Sequence, residues 1–446
     1  MPIVQQFNVI FIYNLFIRLY VIAIRIAALW NKKAANWIEG RKTVFENLEK
    51  QINENDRVIW VHCASAGELE QGKPVIEALK ESYPGYKILV SFFSPSGFTA
   101  GKKYKGADII TYLPADTSAN AKRFIEKVHP ALVVFIKYEY WYHHLAAAAF
   151  RHIPIILVSA IFRKDAVFFK WYGRFHRQML FLFRQLFVQD ETSRELLEQH
   201  GITHVIVSGD TRFDRVTKIG SQFSEIDLVK AFVQDEKVIV AGSTWPDDEK
   251  MLASSLALKD VKLVIAPHEI HPGHISSILK LFPGAARYSE FQALLKSQED
   301  VSAPIWQRIN EQQSTDVIKK LSAARVLIID NFGMLSRLYY YATISYIGGG
   351  FNKSGIHNTL EAAVFGKPVI FGPRYHKFRE AKELIAKGAA YSFQDANQLQ
   401  SIFSLLLNDN ETQRKSGLAA TEYVSENRGA SERVISYIQE KRLLTS

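Results

Sequence analysis

The chain has 446 residues, a length that calls for two domains rather than one. Its 48% hydrophobic and 22% charged content is that of a folded globular chain and excludes a disordered one. One cysteine, Cys63, excludes an internal disulfide framework and a cysteine-based zinc site, and the net charge of +10 calls for an anionic partner: nucleic acid, anionic lipid or a phosphorylated substrate.

The N-terminus comes first. Residues 7–30 contain 20 apolar residues in 24, interrupted by Asn8, Asn14, Arg18 and Arg25. At 100° per residue, Asn14, Arg18, Arg25 and Lys32 fall within about 40° of one another, a polar stripe on an apolar helix. No positive charge precedes Arg18 and no A-x-A-like site follows, which argues against a signal peptide. A spanning helix would hold two arginines in hydrocarbon at about 2.5–3.5 kcal/mol each. An in-plane helix keeps them at the headgroups. The pattern favours an interfacial anchor over residues 1–32; a spanning helix and a helix buried on its own domain stay open.

After a basic patch, Lys32 to Lys42, short apolar runs alternate with helical patterns. Strands are expected at Val58–His62, Lys87–Phe92, Ile109–Leu113, Ala131–Ile136, Pro154–Ser159, Leu186–Gln189 and His204–Val207. The alternation restarts at Lys237–Ala241, Val261–Ala266, Arg325–Ile329, Thr343–Ile347 and Lys367–Phe371. Such β-α alternation predicts α/β domains with parallel sheets covered on both faces. The expected division is 33–215, a linker at 216–236, and 237–446. Residues 289–322 read as helix plus loop, and the tail from Gln398 as charged helix. Two doubly wound domains of this kind bind ligands at the carboxyl ends of their strands, facing a cleft.

Chemistry-bearing residues sit at those strand ends. Ser65, Gly67 and Glu68 follow the first strand. Ser65 and Glu68 have the spacing of a capping box, and Glu68 there also suits a general base. Lys137, Tyr138, Glu139, Tyr140 and Trp141 follow the fourth strand, as core packing or as a sugar-binding wall. Ser243 and Thr244 offer hydroxyls and amides at a helix start. His268, His271 and His274 lie close in sequence, but one nearby acid and no cysteine make a poor zinc set. Residues 162–184 mix Arg163, Lys164 and four more cations with aromatics, either a phosphate-receiving surface or an amphipathic surface helix.

The most informative stretch is 348–373, GGGFNKSGIHNTLEAAVFGKPVIFGP. Gly348, Gly349, Gly350 and Gly355 let backbone approach a ligand, a helix is expected from His357-Asn358, and Glu361 falls one turn in, within reach of a ribose diol. A plain tight turn in an α/β domain is the alternative.

Together these residues resemble the Kdo (3-deoxy-D-manno-octulosonic acid) transferases of lipopolysaccharide biosynthesis, membrane-associated glycosyltransferases of the GT-B fold. The resemblance runs from the N-terminus to about residue 380. Its most specific part is the glycine loop with His357, Asn358, Leu360 and Glu361, then Gly366, Pro368, Val369, Phe371, Gly372 and Pro373. The S-x-G-E pattern matches Ser65, Gly67 and Glu68. Leu113, Pro114 and Asp116, then Glu139 and Trp141, match two further motifs. So do Gly209, Arg212, Phe213 and Asp214, then Ser243 and Thr244, and then Asp330 and Gly333. Lys137 and Met334 stand where the family usually has Glu, Trp245 and Arg374 where it has His, and Pro267-His268-Glu269 lacks a common Arg.

The resemblance implies an inverting transferase that moves Kdo from CMP-Kdo to a lipid A precursor at the cytoplasmic face of the inner membrane. Glu68 would be the base. Ser243, Thr244, His268, Asp330, Gly333, Gly349, Gly350, Gly355, His357, Asn358 and Glu361 would hold the donor. Glu139 and Arg212 would contact the transition state or phosphate, and Ser65, Gly67, Arg163 and Lys164 the acceptor. This scheme requires no metal and no cofactor. The alternative is another membrane-associated GT-B transferase or epimerase using a UDP-sugar. Nothing in the chain matches a nucleic-acid-binding motif.

Overall fold

The computed structural model describes residues 3–256, 261–296 and 318–445. The chain forms two compact units: residues up to Arg215 together with those from Asn427 onward, and Val216–Glu426.

The first unit is built on β1 (Val58–Cys63), β2 (Lys87–Phe92), β3 (Ile109–Tyr112), β4 (Pro130–Ile136), β5 (Ile155–Ala160), β6 (Gln185–Val188) and β7 (Val205–Val207). They form one parallel sheet in the order β3-β2-β1-β4-β5-β6-β7. All six residues of β1 are buried, as a strand covered on both faces requires. Trp60 anchors one face against Phe124 and Phe135; Ile59 and Val61 pack on the other.

The second unit has β8 (Val238–Thr244), β9 (Lys262–Pro267), β10 (Ala286–Arg287), β11 (Val326–Ile328), β12 (Ile344–Ile347), β13 (Val369–Phe371) and β14 (Ala390–Ser392). Their order is β10-β11-β9-β8-β12-β13-β14, again parallel. The chain reverses its direction of travel across the sheet between β1 and β4, and between β8 and β12. These are the positions where loops part at the carboxyl edge and a ligand can enter.

All twelve expected strands are present, with ends shifted by up to three residues. β10 and β14, two and three residues long, were not anticipated. The expected division needs correction at two points. Residues 216–236 are no linker: the helix Asp227–Val233 buries Leu228, Val229, Phe232 and Val233 in the second unit. The tail does not stay with the second unit. The helix Ala430–Glu440 buries Val434, Ile435, Tyr437 and Ile438 in the first unit's core, where Tyr437 meets Phe187 edge-on. Asp214 holds this returning segment by accepting from the N–H groups of Gly429 and Ser431 and from the Ser431 hydroxyl. Residues 162–184 are not one helix but a 3-10 turn at Val167–Phe169 and a helix at Arg174–Leu180. Of the segment expected at 289–322, residues 297–317 lie outside the described residues; helix Tyr288–Lys296 precedes them.

The N-terminal helix, Ile3–Ala27, is long and apolar enough over Val9–Ala27 to cross a membrane by length and composition. It is also docked. Ile17 is buried, Tyr20 meets Trp37 edge-on and stacks with Phe93, Tyr13 donates to Asp116, and Asn14 bonds to His143. Asn14 therefore belongs to the inner face, not to a polar stripe with Arg18 and Arg25, which are exposed. Phe11, Ile12, Leu15, Phe16, Leu19, Ile22 and Ile26 form the exposed apolar side.

Candidate functional site

Glu68 stands one turn beyond β1 and Glu139 three residues beyond β4, at the first unit's switch point. Both halves of the capping box are formed: the Ser65 N–H donates to Glu68 Oε2 at 3.0 Å, and the Glu68 N–H reaches Ser65 Oγ at 3.4 Å. The cap fixes the carboxylate without hiding it. Burial and the neighbouring Glu139 charge hold the Glu68 pKa above the ordinary carboxylate value, against the pull of His62 and the backbone N–H groups of Ala64 and Ser65. A carboxylate so raised is a stronger base than a free one.

Glu139 is itself oriented by residues that the sequence reading passed over. The Trp60 indole N–H can only donate, and it donates to Ser91 Oγ at 2.7 Å. Ser91 Oγ also bonds to His62 Nδ1 at 2.8 Å, and because a carboxylate only accepts, the His62 Nε2–H donates toward Glu139 Oε2 at 3.3 Å. Trp141 donates to the same Glu139 oxygen. The available signal was His62 and Ser91, each a polar residue inside an otherwise apolar buried strand.

Arg41 was also missed. It donates to the carbonyls of Leu113, Trp37 and Phe93, lies 3.8 Å over the Trp37 ring, and burial lowers its pKa to about 9. It ties the exits of β2 and β3 beside the Phe93–Trp141 stack. Of the expected acceptor and phosphate contacts, Arg163 and Arg212 both act electrostatically on Tyr138, as does Glu68, so these groups share one neighbourhood. Asp210 holds the Arg212 guanidinium at 2.8 Å. Gly67 and Lys164 are exposed.

In the second unit the strand ends β8, β9 and β12 converge. Trp245 follows β8, His268 follows β9, and His357 closes the loop after β12. The three rings stack, Trp245 on His268 at 4.7 Å and His268 on His357 at 4.5 Å. The glycines are required by this geometry. Gly349 has φ +90°, and a Cβ on Gly350 would come within 2.5 Å of the Gly372 backbone.

Three expectations fail in detail. The cradle helix is a single turn, Leu360–Ala363, so His357 and Asn358 precede it and the dipole of a long helix is lacking. Asn358 instead orients Glu361, donating from Nδ2 to Oε1 at 3.0 Å. Four of the loop amides are engaged internally: Gly348 N–H to Gly242, Gly349 N–H to Asp248 Oδ2 at 2.8 Å, Gly355 N–H to Asn352, His357 N–H to Gly348. Thr244 is buried and donates to Glu249, and Asp330 accepts from Arg287 and Ser289, so both side chains are already engaged within the second unit. Gly333 keeps a left-handed turn three residues after Asp330, and Ser243 is half-buried near the end of β8.

The three histidines that lie close in sequence take different main partners, although the His271 and His274 rings stay 5.7 Å apart. His274 bonds to Glu249, His271 caps the next helix, and His268 joins the stack. Among the described residues, no group of three His, Cys, Asp or Glu side chains is placed to hold a metal.

Residues 39–215 match the family model of 3-deoxy-D-manno-octulosonic-acid transferases. The chain is 28% identical over 364 residues to the transferase of that name from Rickettsia felis, covering 80% of this chain and 72% of the relative. It is 26% identical over 395 residues to that of Haemophilus influenzae, covering 85% and 86%. Over residues 39–215, then, the chain matches the Kdo transferase family model, and it is similar to these transferases over most of its length. The chain also shares its fold with UDP-GlcNAc 2-epimerase from Neisseria meningitidis, with a TM-score of 0.56 and 19% identity over 86% of this chain and all of that one. This is the GT-B architecture of two doubly wound sheets.

Proposed function

We propose that the protein transfers Kdo from CMP-Kdo to a lipid A precursor in lipopolysaccharide synthesis, with inversion at the anomeric carbon. The observation that carries the reading is Glu68, capped at the end of β1, raised in basicity and flanked by the oriented Glu139. Glu68 takes the proton of an acceptor hydroxyl as that oxygen attacks the anomeric carbon of Kdo. The bond from that carbon to the phosphate oxygen breaks, and CMP leaves with the electron pair.

In the second unit, Ser243 and His357 offer donors for the phosphate, and Glu361, oriented by Asn358, accepts from the ribose hydroxyls. Arg163 and Arg212 supply positive charge for acceptor phosphates or developing negative charge. The exposed apolar side of helix Ile3–Ala27, with Arg18 and Arg25, suits the cytoplasmic face of the inner membrane, where a lipid acceptor resides. Calorimetry tests the donor assignment: CMP binds and UDP does not. Preference for UDP would favour a UDP-sugar enzyme.

A further inference from the structure

The amides of Gly348, Gly349, Gly355 and His357 in the loop after β12 are engaged within the protein, so a side-chain donor beside that loop would add to what the second unit can offer an anionic ligand. His357 is placed to be one. Its Nε2 lies 3.2 Å from the Trp245 indole nitrogen, and an indole N–H only donates. Nε2 must therefore accept and carry no proton. Burial, and the His268 ring stacked on it, lower the His357 pKa to about 4, so at neutral pH the ring is uncharged. An uncharged imidazole with a bare Nε2 carries its one proton on Nδ1. The ring itself is fixed from two sides: His268 stacks on it at 4.5 Å, and its Cδ2 lies 3.0 Å from where a Gly349 Cβ would sit. Trp245 is in turn held by its own backbone N–H, which donates to Asp248, the same carboxylate that takes the Gly349 N–H.

We propose that Trp245 is a positioning residue that holds His357 as its Nδ1–H tautomer, making that N–H an uncharged donor to a phosphoryl oxygen of the bound nucleotide. The proposal rests on the donor-site reading above and adds what the Trp at position 245 does. An imidazolium would bind the anionic nucleotide strongly and hold the departing CMP as strongly. A neutral donor gives direction without that retention, which suits a site that must release its product.

The test uses the full chain in detergent. Long-range proton–nitrogen correlation spectra of protein labelled in its histidines, with the His357→Gln variant for assignment, read which ring nitrogen is protonated. The expected wild-type spectrum shows His357 protonated on Nδ1. In Trp245→Phe, which keeps a ring on His268 but removes the N–H, the proton redistributes between the two nitrogens. Calorimetry with CMP is expected to show about a tenfold loss in that variant, the size of one hydrogen bond. Trp245→His, which restores a ring N–H, is expected to recover part of it. An Nε2-protonated His357 in the wild type overturns the proposal whatever the calorimetry shows. A Trp245→Phe protein that binds CMP as the wild type does also overturns it. A wild type that binds no CMP contradicts the donor-site reading and removes the ligand half of the proposal, while the spectrum still decides the tautomer half.

Discussion

Tyr13, on the N-terminal helix, donates its hydroxyl to the buried carboxylate of Asp116, in the loop leaving β3. Asp116 also accepts from the N–H groups of His143 and His144 and bonds to the His144 ring. The helix is therefore part of the first unit on one side and exposed apolar surface on the other.

Removing residues 1–30 is expected to destabilise the first unit as well as release the protein from lipid. Tyr13→Phe alone is expected to cost about 1–3 kcal/mol, because a buried carboxylate loses a donor. Replacing Phe11, Leu15, Phe16 and Ile22 with serine touches only the exposed side. It is expected to abolish co-sedimentation with anionic vesicles while leaving the unfolding temperature nearly unchanged. Retained sedimentation would show that this side does not meet lipid.

Glu68→Gln is expected to slow transfer by about 10²–10⁴ with folding and CMP binding intact. Activity within threefold of wild type would leave Glu68 with its capping role alone. The base works deprotonated and its pKa is raised, so activity is expected to fall on the acid side at a pH above that of an ordinary carboxylate. Glu139→Gln removes a neighbouring negative charge and is expected to move that acid limb to lower pH. A limb that stays in place in Glu139→Gln would separate Glu139 from the titration.

Asp248 accepts from Gly349 N–H, Trp245 N–H and the Tyr346 hydroxyl, and burial raises its pKa to about 6. The folded state thus binds more protons than the unfolded one between about pH 4 and pH 6. Stability from this group falls as pH rises through that window. Asp248→Ala leaves three donors unpaired and is expected to cost about 3 kcal/mol or more in denaturant unfolding. A loss under about 1 kcal/mol would mean that the glycine loop does not depend on Asp248.

Glu361→Ala is expected to weaken CMP binding by about 1.5–3 kcal/mol while changing the bound-state rate less. An unchanged dissociation constant by calorimetry would remove the ribose role.

The strands were legible because their buried runs, such as VIWVHC in β1, carry β-branched and aromatic residues bounded by polar segments. β10 and β14 are too short to carry a period. The return of helix Ala430–Glu440 to the first unit was not legible, since its apolar face shows that it packs and not on what. The site was legible as residue types at strand ends. What each side chain does there depends on partners distant in sequence: Thr244 on Glu249 and Asp330 on Arg287 look like ligand contacts until those partners are seen. Asn14 sat on a cationic stripe by helical angle, yet His143 draws it inward.

The most direct test is transfer itself. Purified protein is incubated with CMP-Kdo and the lipid A precursor, alongside Glu68→Gln, and products are read by mass spectrometry. The proposed function requires precursor heavier by whole Kdo units, release of CMP, and a rate in Glu68→Gln lower by about 10²-fold or more. No Kdo-bearing product from the wild type, with turnover of a UDP-sugar instead, would contradict it.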